Sequence, residues 1–369
     1  MKIPYIDLKA QWRVERKTLL PIISKTFSKG EFVLGKEIEK FEKNISKVCG
    51  TKYAVALNSG TDALTLGLKL LGVKKGDEVI TPPNSFISST TSIAHIGAKP
   101  VFADVFKDQN IDPDQIEKKI TKKTKAIMPV HLTGRICEMN RITEISKKYK
   151  IPIIEDAAQS IGSKYYNKPS GSFGEIGCFS AHPLKNLNAC GDAGFLVTNN
   201  IDFYKRAKIL RNHGLENRNK VNHFGFISRM DVLQAAILNF RLKTLNSTIK
   251  KRRSNANFYF KNLDRNFYTL NDEKKYQYNT YHTFVVQTPN RDKLMKFLKK
   301  KGVGSAIHYP IPIHLQPASK YLGYQRRSFP VTEKQSKNII TIPVHQNLSK
   351  SNLNKIVSLM NAFAKKYYG

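Results

Sequence analysis

The 369-residue sequence predicts an α/β protein whose larger part is built on a mostly parallel sheet, followed by a smaller α+β region. Two observations carry this. From Tyr53 to Ser160, short apolar runs of strand character alternate with amphipathic helical patterns, which is how a parallel sheet flanked by helices is written in sequence. After the charge run Lys250 to Arg253 a shorter alternation begins again, so the chain divides into residues 1–245, including an N-terminal arm, and residues 246–369.

In order, Ile6 to Trp12 leads into a helical pattern that ends at the glycine-bounded turn Gly30 to Gly35. A helix over Glu37 to Cys49 precedes Tyr53 to Leu57, the first buried strand. The next segment, Asn58-Ser59-Gly60-Thr61-Asp62-Ala63-Leu64, places a glycine at the strand end, Thr61 or Asp62 at a helix N-cap, and Leu64, Leu68 and Leu71 on one face. Such a start aims free N–H groups and the positive dipole end above the sheet, as a plain capped helix or as a phosphate site. Glu78 to Thr81 is a strand, and Asn84-Ser85-Phe86 opens a helix reaching Ala94, with Phe86 either a core residue or a platform for a planar ring. Pro100 to Asp104 and Ala126 to His131 are strands, separated by a helix over Asp114 to Ile120 and followed by one over Glu138 to Tyr149.

Ile151 to Ser160 sets Asp156 at the carboxyl end of a buried strand, with Gln159 on the same side if a helical turn begins there. Asp156 either caps a turn or meets a cation, and a protonated pyridine nitrogen is one such cation. In Cys178 to Leu187, Lys185 is the one lysine of an almost uncharged tract, five residues beyond Ser180 at the end of the apolar run Ile176 to Phe179. It is either an ordinary junction lysine or an amine held where it can lose its proton and attack a carbonyl, with Ser180 within reach of a phosphate beside the same aldehyde. Gly191 to Thr198 returns as an antiparallel strand, and Asp231 to Leu242 is a helix with a strong apolar stripe. Beyond Arg253, a strand over Thr283 to Gln287, a helix over Arg291 to Lys301 stopped by Gly302, and the Pro-rich segment Ser305 to His314 make up the smaller part.

The formal charge of +34 raises the idea of a nucleic-acid partner, but the lysines and arginines fall in many short runs at helix ends and loops, so most of them read as solvated faces. No apolar segment has the length of a signal h-region or a membrane span, which predicts a cytoplasmic protein without membrane contact. Cys49, Cys137, Cys178 and Cys190 lack paired metal-ligand spacing, so reduced thiols and no metal are expected.

Taken together, Asp7-Leu8-Lys9-Ala10-Gln11, Asn58 to Leu64, Gly76 to Ile80, Val130 to Gly134, Glu155 to Ser160, Ser180 to Lys185, Arg211 to Gly214, Ser228 to Asp231 and His308-Tyr309-Pro310 resemble the DegT/StrS-type nucleotide-sugar aminotransferases along the whole chain. The resemblance implies a three-layer fold of type I with pyridoxal 5'-phosphate (PLP) as cofactor. It implies that Lys185 forms the Schiff base, Asp156 pairs with the pyridine nitrogen, Gln159 contacts the ring hydroxyl, Phe86 stacks on the ring, and Gly60, Thr61 and Ser180 hold the phosphate. Arg229, His308 and Tyr309 fall to the substrate. It further implies L-glutamate as amino donor, a keto-sugar nucleotide as acceptor, a homodimer with shared active sites, and a place in amino-sugar biosynthesis of the surface-polysaccharide (lipopolysaccharide, O-antigen) kind. The run His308 to Ala318 looks like the 3-keto branch, the 4-keto branch being the alternative, and a PLP-bound regulatory protein of the same fold is a third reading. Family members that dehydrate have histidine in place of this lysine. One departure stands out: Ile227 occupies the position of an asparagine that reaches the partner's PLP phosphate in the family.

Overall fold

The computed structural model describes residues 2–368. Helix α1 (Leu8–Lys29) is capped by Asp7, whose carboxylate accepts from the Ala10 N–H at 2.8 Å, and it stops at Gly30 in the left-handed region. Helix α2 (Lys36–Val48) follows, then β1 (Tyr53–Leu57), α3 (Gly60–Leu70), β2 (Glu78–Thr81), α4 (Ser88–His95), β3 (Lys99–Phe102), α5 (Pro113–Glu117), β4 (Thr124–Ile127) and α6 (Met139–Tyr149). Next come β5 (Ile154–Asp156), the short β6 (Lys164–Tyr165) and β7 (Lys168–Pro169), β8 (Ile176–Ser180), β9 (Gly194–Thr198), α7 (Ile201–Leu210), the hairpin β10 (Leu215–Asn217) and β11 (Lys220–Val221), and α8 (Val232–Leu242). The remainder is α9 (Leu245–Asn262), β12 (Gln277–Tyr278), β13 (Phe284–Gln287), α10 (Arg291–Lys300), α11 (Pro330–Asn338), β14 (Ile339–Ile342) and α12 (Lys350–Tyr368).

The central sheet has a four-stranded run in the order β1, β9, β8, β5 and a three-stranded run β3, β2, β4. Single parallel bridges, Ile127 to Ile153 and Val130 to Asp156, carry the sheet from the end of β4 to β5. Pairing is parallel for β5 with β8 and for β2 with both its neighbours; β9 alone runs antiparallel, between β1 and β8. Strands covered on both faces carry continuous apolar runs, and β9 is buried at every position. Close helix-to-sheet packing depends on Gly67 in α3, where a Cβ would come within 2.7 Å of Ile154 Cδ1.

Helix α9 spans two cores. Leu245 and Ile249 at its start pack with Phe41, Phe179, Phe195 and Leu238, whereas Ala256 and Tyr259 pack with Phe284, Ile342, Ile356 and Phe363. Ile3 belongs to the second core, and its backbone pairs with Gly302 and Gly304, so the N-terminal arm crosses back over the C-terminal part of the chain.

Four sequence expectations need correction. The N-cap of α3 is Ser59, extended at φ −153° and accepting from the Asp62 N–H at 3.0 Å, because Thr61 and Asp62 already lie within the first helical turn. Helix α5 ends at Glu117 instead of reaching Ile120. Helix α4 begins at Ser88, the stretch Asn84 to Phe86 preceding it instead of opening it. Arg252, read as part of a solvated charge run, is buried and donates to the Tyr281 and His282 carbonyls at 3.2 Å each. A guanidinium can bury itself by satisfying carbonyls with its planar fork, which an ammonium does less well. Among the described residues no helix is long and apolar enough to cross a membrane, no group of three metal-ligating side chains is assembled, and the four cysteines are free.

Candidate active site

The site lies beyond the carboxyl ends of β5 and β8. After Ser180 the chain leaves the sheet in a loop whose stem is closed by Ala181 N–H to Ala193 O and Ala189 N–H to Ala181 O. Lys185 stands inside that loop, its N–H donating to His182 O at 2.9 Å. Neighbouring elements hold the loop from two sides, Asn186 donating to Thr280 O and Arg241 to Asn188 O at 2.7 Å, while within the loop Asn188 donates to Pro183 O at 2.7 Å. Burial pushes the Lys185 amine down to about 8, against the opposing pull of Asp156. At neutral pH roughly a tenth of such amines are uncharged and nucleophilic.

Parallel pairing sets Asp156 beside Cys178, at the same level as the start of that loop. Because successive strand residues face opposite ways, Glu155 and Asp156 have separate lives. Glu155 is fully buried and meets His131 Nε2 at 2.8 Å while accepting the N–H groups of Gly171, Phe173 and Gly174. Its acceptors are used up inside the fold. Asp156 accepts from the Ser89 hydroxyl at 2.6 Å and from the Ala158 N–H at 3.2 Å, and it has no salt-bridge partner among the described residues. Burial raises its carboxyl; Ser89, Ala158, Lys185 and His131 counteract that.

The start of α3 closes a third side. A Cβ on Gly60 would lie 2.7 Å from Ser180 Cβ, so the bare backbone there allows the helix N-terminus to sit against the end of β8. Ser180 Oγ accepts from the His182 N–H at 3.3 Å, and Thr61 donates its hydroxyl to Ser88 at 2.9 Å. Phe86 is 54% exposed, which removes it from the core, and its ring centroid lies 5.8 Å from that of Tyr309. Gln159 accepts from the Thr133 N–H at 2.8 Å and turns its amide toward the Tyr309 hydroxyl at 3.5 Å. His308 packs between Tyr5 and Tyr309 with Nδ1 2.9 Å from the Thr341 hydroxyl; burial, then Lys185, brings it down to about 4, so its ring is neutral at pH 7.

The structure thus groups Gly60, Thr61, Phe86, Asp156, Gln159, Ser180, Lys185, His308 and Tyr309 at one end of the sheet. Among the described residues no contact joins Arg229 to this group; its guanidinium donates to Asn212 at 3.1 Å. Sequence reasoning missed Ser88, Ser89 and Tyr5. The two serines lie two and three residues after Phe86 at a helix start, a signal that was available; Tyr5 reaches the site only through the path of the arm, which no local pattern encodes.

A phosphorylated pyridine aldehyde fits these groups. A glycine-lined helix start could receive the phosphate, an exposed aromatic could cover the ring, a buried carboxylate without an ion-pair partner could meet the ring nitrogen, and a partly deprotonated amine could meet the aldehyde.

Comparison with known proteins agrees. The model of the DegT/DnrJ/EryC1/StrS aminotransferase family matches residues 14–361. A pleiotropic regulatory protein of Geobacillus stearothermophilus is 34% identical, over 100% of both chains. The dTDP-3-amino-3,6-dideoxy-alpha-D-galactopyranose transaminase of Aneurinibacillus thermoaerophilus is 36% identical, over 98% of this chain and 99% of its own. The crystal structure of Streptomyces venezuelae DesV, solved with a ketimine intermediate, superposes with a TM-score of 0.96 at 33% identity, covering 99% of each chain.

Proposed function

This chain belongs to the DegT/DnrJ/EryC1/StrS aminotransferase family of PLP-dependent sugar transaminases, and from that premise we propose that it moves an amino group from L-glutamate to a 3-keto sugar carried on a nucleotide. The observation that carries the reading is the placement of Lys185, its amine near 8, in the loop that follows β8, within electrostatic reach of the buried carboxylate of Asp156 at the end of the paired strand β5.

PLP, when bound, supplies an electron sink for the charge that develops on the substrate carbon. In this proposal Lys185 holds the cofactor covalently at rest, and its freed Nζ takes the α-proton of the donor and later returns a proton to the acceptor carbon. Asp156 keeps the ring nitrogen charged, Gln159 orients the ring through its hydroxyl, and Phe86 covers one face. Gly60, Thr61 and Ser180 hold the phosphate. His308, neutral at pH 7, and Tyr309 face the substrate, and Arg229 is the third residue assigned to it. The donor leaves as 2-oxoglutarate and the sugar leaves as its 3-amino derivative. The reading retains a cytoplasmic homodimer and the division into residues 1–245 and 246–369.

Support for C3 comes from the run His308 to Ala318 and from the 3-amino sugar in the name of the Aneurinibacillus relative. Incubating the protein with glutamate and matched 3-keto and 4-keto sugar nucleotides tests it: selective turnover of the 4-keto compound overturns the position, and turnover of neither with any donor overturns the activity. The second reading, a PLP-bound regulator, is favoured by the name of the Geobacillus relative and requires a cofactor that is bound yet never converted.

A further inference from the structure

We propose that Ser89 is a positioning residue for Asp156: its hydroxyl occupies one carboxylate oxygen, keeps the group ionised, and leaves it free to turn its remaining lone pairs toward a protonated ring nitrogen. This rests on the cofactor reading above.

The geometry is specific. Ser89 Oγ lies 2.6 Å from Asp156 Oδ2, in the range of a strong O–H to carboxylate bond, and 3.4 Å from its alternative acceptor, Phe86 O. Both residues are buried, Ser89 at 1% and Asp156 at 5% exposure, so water cannot replace the hydroxyl at little cost. The serine lies 67 residues away in sequence, on α4, and its own position is fixed because Ser92 donates to Ser89 O at 3.0 Å. Its neighbour Ser88 accepts from Thr61 at the phosphate end. One helix start therefore braces a residue at each end of the place for the ring, immediately after the exposed Phe86.

The surroundings explain why a donor is needed. Asp156 faces Lys185 from the β8 loop, His131 from the connection after β4, the buried Cys178 thiol on β8 and the Tyr309 hydroxyl. Lys185 is attractive only while protonated, and the amine near 8 loses that charge in the pH range where it must react. Ser89 and the Ala158 N–H do not titrate, so their pull against the upward shift caused by burial persists whatever the state of the lysine.

The test is calorimetric affinity of the cofactor-stripped full chain for pyridoxamine 5'-phosphate, which forms no bond to Lys185, from about pH 5 to about pH 9. Ser89→Ala should move the acid limb of binding upward by about one to two pH units, the loss of one hydrogen bond to a charged group. Ser89→Thr should restore the parent limb, and Ser89→Ala added to Asp156→Asn should leave the limb unmoved, because the amide does not titrate. If Ser89→Ala fails to fold, the near-isosteric Ser89→Cys with its weak donor takes its place and should shift the limb in the same direction. An unshifted limb in the Ala or Cys variant, with Asp156→Asn binding weakly, overturns the role of Ser89. Parent-like binding by Asp156→Asn at every pH instead overturns the pairing of Asp156 with the ring, and the Ser89 role falls with it.

Discussion

Gln11 and Asn188 exchange two side-chain amide hydrogen bonds, each 3.1 Å long, across 177 residues of sequence. Asn188 lies three residues beyond Lys185 and also ties the loop to itself through Pro183 O. Gln11 is steadied by Glu15, which in turn holds Arg241, and Arg241 reaches back to Asn188 O and Ala189 O. The first helix is thus a brace for the lysine loop. The same arm is fastened at Ile3 to Gly302 and Gly304, and at Asp7 O to Asn347, so it bridges the C-terminal part of the chain and the loop.

Gln11→Leu should therefore loosen the loop without unfolding the protein. It strands the buried Asn188 carbonyl, a cost of about 1–3 kcal/mol. The urea midpoint should fall with an unchanged slope, and amide exchange across residues 182–189 should accelerate relative to β8 and β9. Unchanged exchange in that stretch would sink the brace.

A second buried pair makes a larger claim on stability. Glu42 and Arg211 form an ion pair in which both are nearly inaccessible, and both are also tied to the Ala56 peptide: Glu42 accepts its N–H at 2.9 Å, and Arg211 donates to its carbonyl at 2.8 Å. Removing one member leaves a buried charge alone, so Glu42→Ala should cost about 3–5 kcal/mol in chemical denaturation. The exposed Arg141 cluster with Asp114, Glu117 and Glu144 is screened by water and should show a far smaller loss by the same measurement. Equal costs for the two would show that burial is not what sets them.

Strands β1 and β8 were legible because they are covered on both faces and so carry unbroken apolar runs, and Asp156 was legible as a charge ending such a run. Lys185 stood out for lack of charged neighbours. The partners of these residues were not legible, for a physical reason: Ser89 and Asp156, or Gln11 and Asn188, meet through tertiary packing that no local periodicity records. The cap of α3 was misplaced by two or three residues because Ser59, Thr61 and Asp62 can all cap, and only the extended backbone at Ser59 decides among them. Arg252 was misread because a charge run says nothing about which member turns inward.

The Lys185 amine sets a pH dependence with a definite sign. With its proton affinity lowered to about 8, the neutral form is present above that pH and lost below it. Adding PLP to the stripped protein should therefore develop visible absorbance at a rate that falls about tenfold per pH unit below about 8 and levels off above it. Lys185→Ala should give no such absorbance and no transamination. A rate that continues to climb toward pH 10 would mean that burial has not lowered the amine.

Ile227 offers the most informative change. Its backbone bridges to Asn212 while its side chain is 66% exposed, and the next residue, Ser228, turns inward to donate to Asp62 at 2.7 Å in the first turn of α3. The side chain is thus thrown outward from the very segment that touches the helix whose N-terminus is assigned to the phosphate. In the proposed dimer that outward position is where the family's asparagine donates to the neighbour's phosphate, and isoleucine cannot donate. On the proposed reading the phosphate would rest on Gly60, Thr61 and Ser180 of its own chain, short of one net hydrogen bond worth roughly 1 kcal/mol. Ile227→Asn should restore that bond and slow the loss of PLP during dialysis by about fivefold. The rate of the chemical step in single turnover should stay as it is, because Lys185 and Asp156 are untouched. Cofactor release at the parent's rate would mean either that another donor already satisfies the phosphate or that this segment does not reach a partner's site, and an oligomeric-state measurement on the same sample separates the two: a monomer removes the shared site, whereas a dimer leaves the extra donor to be found.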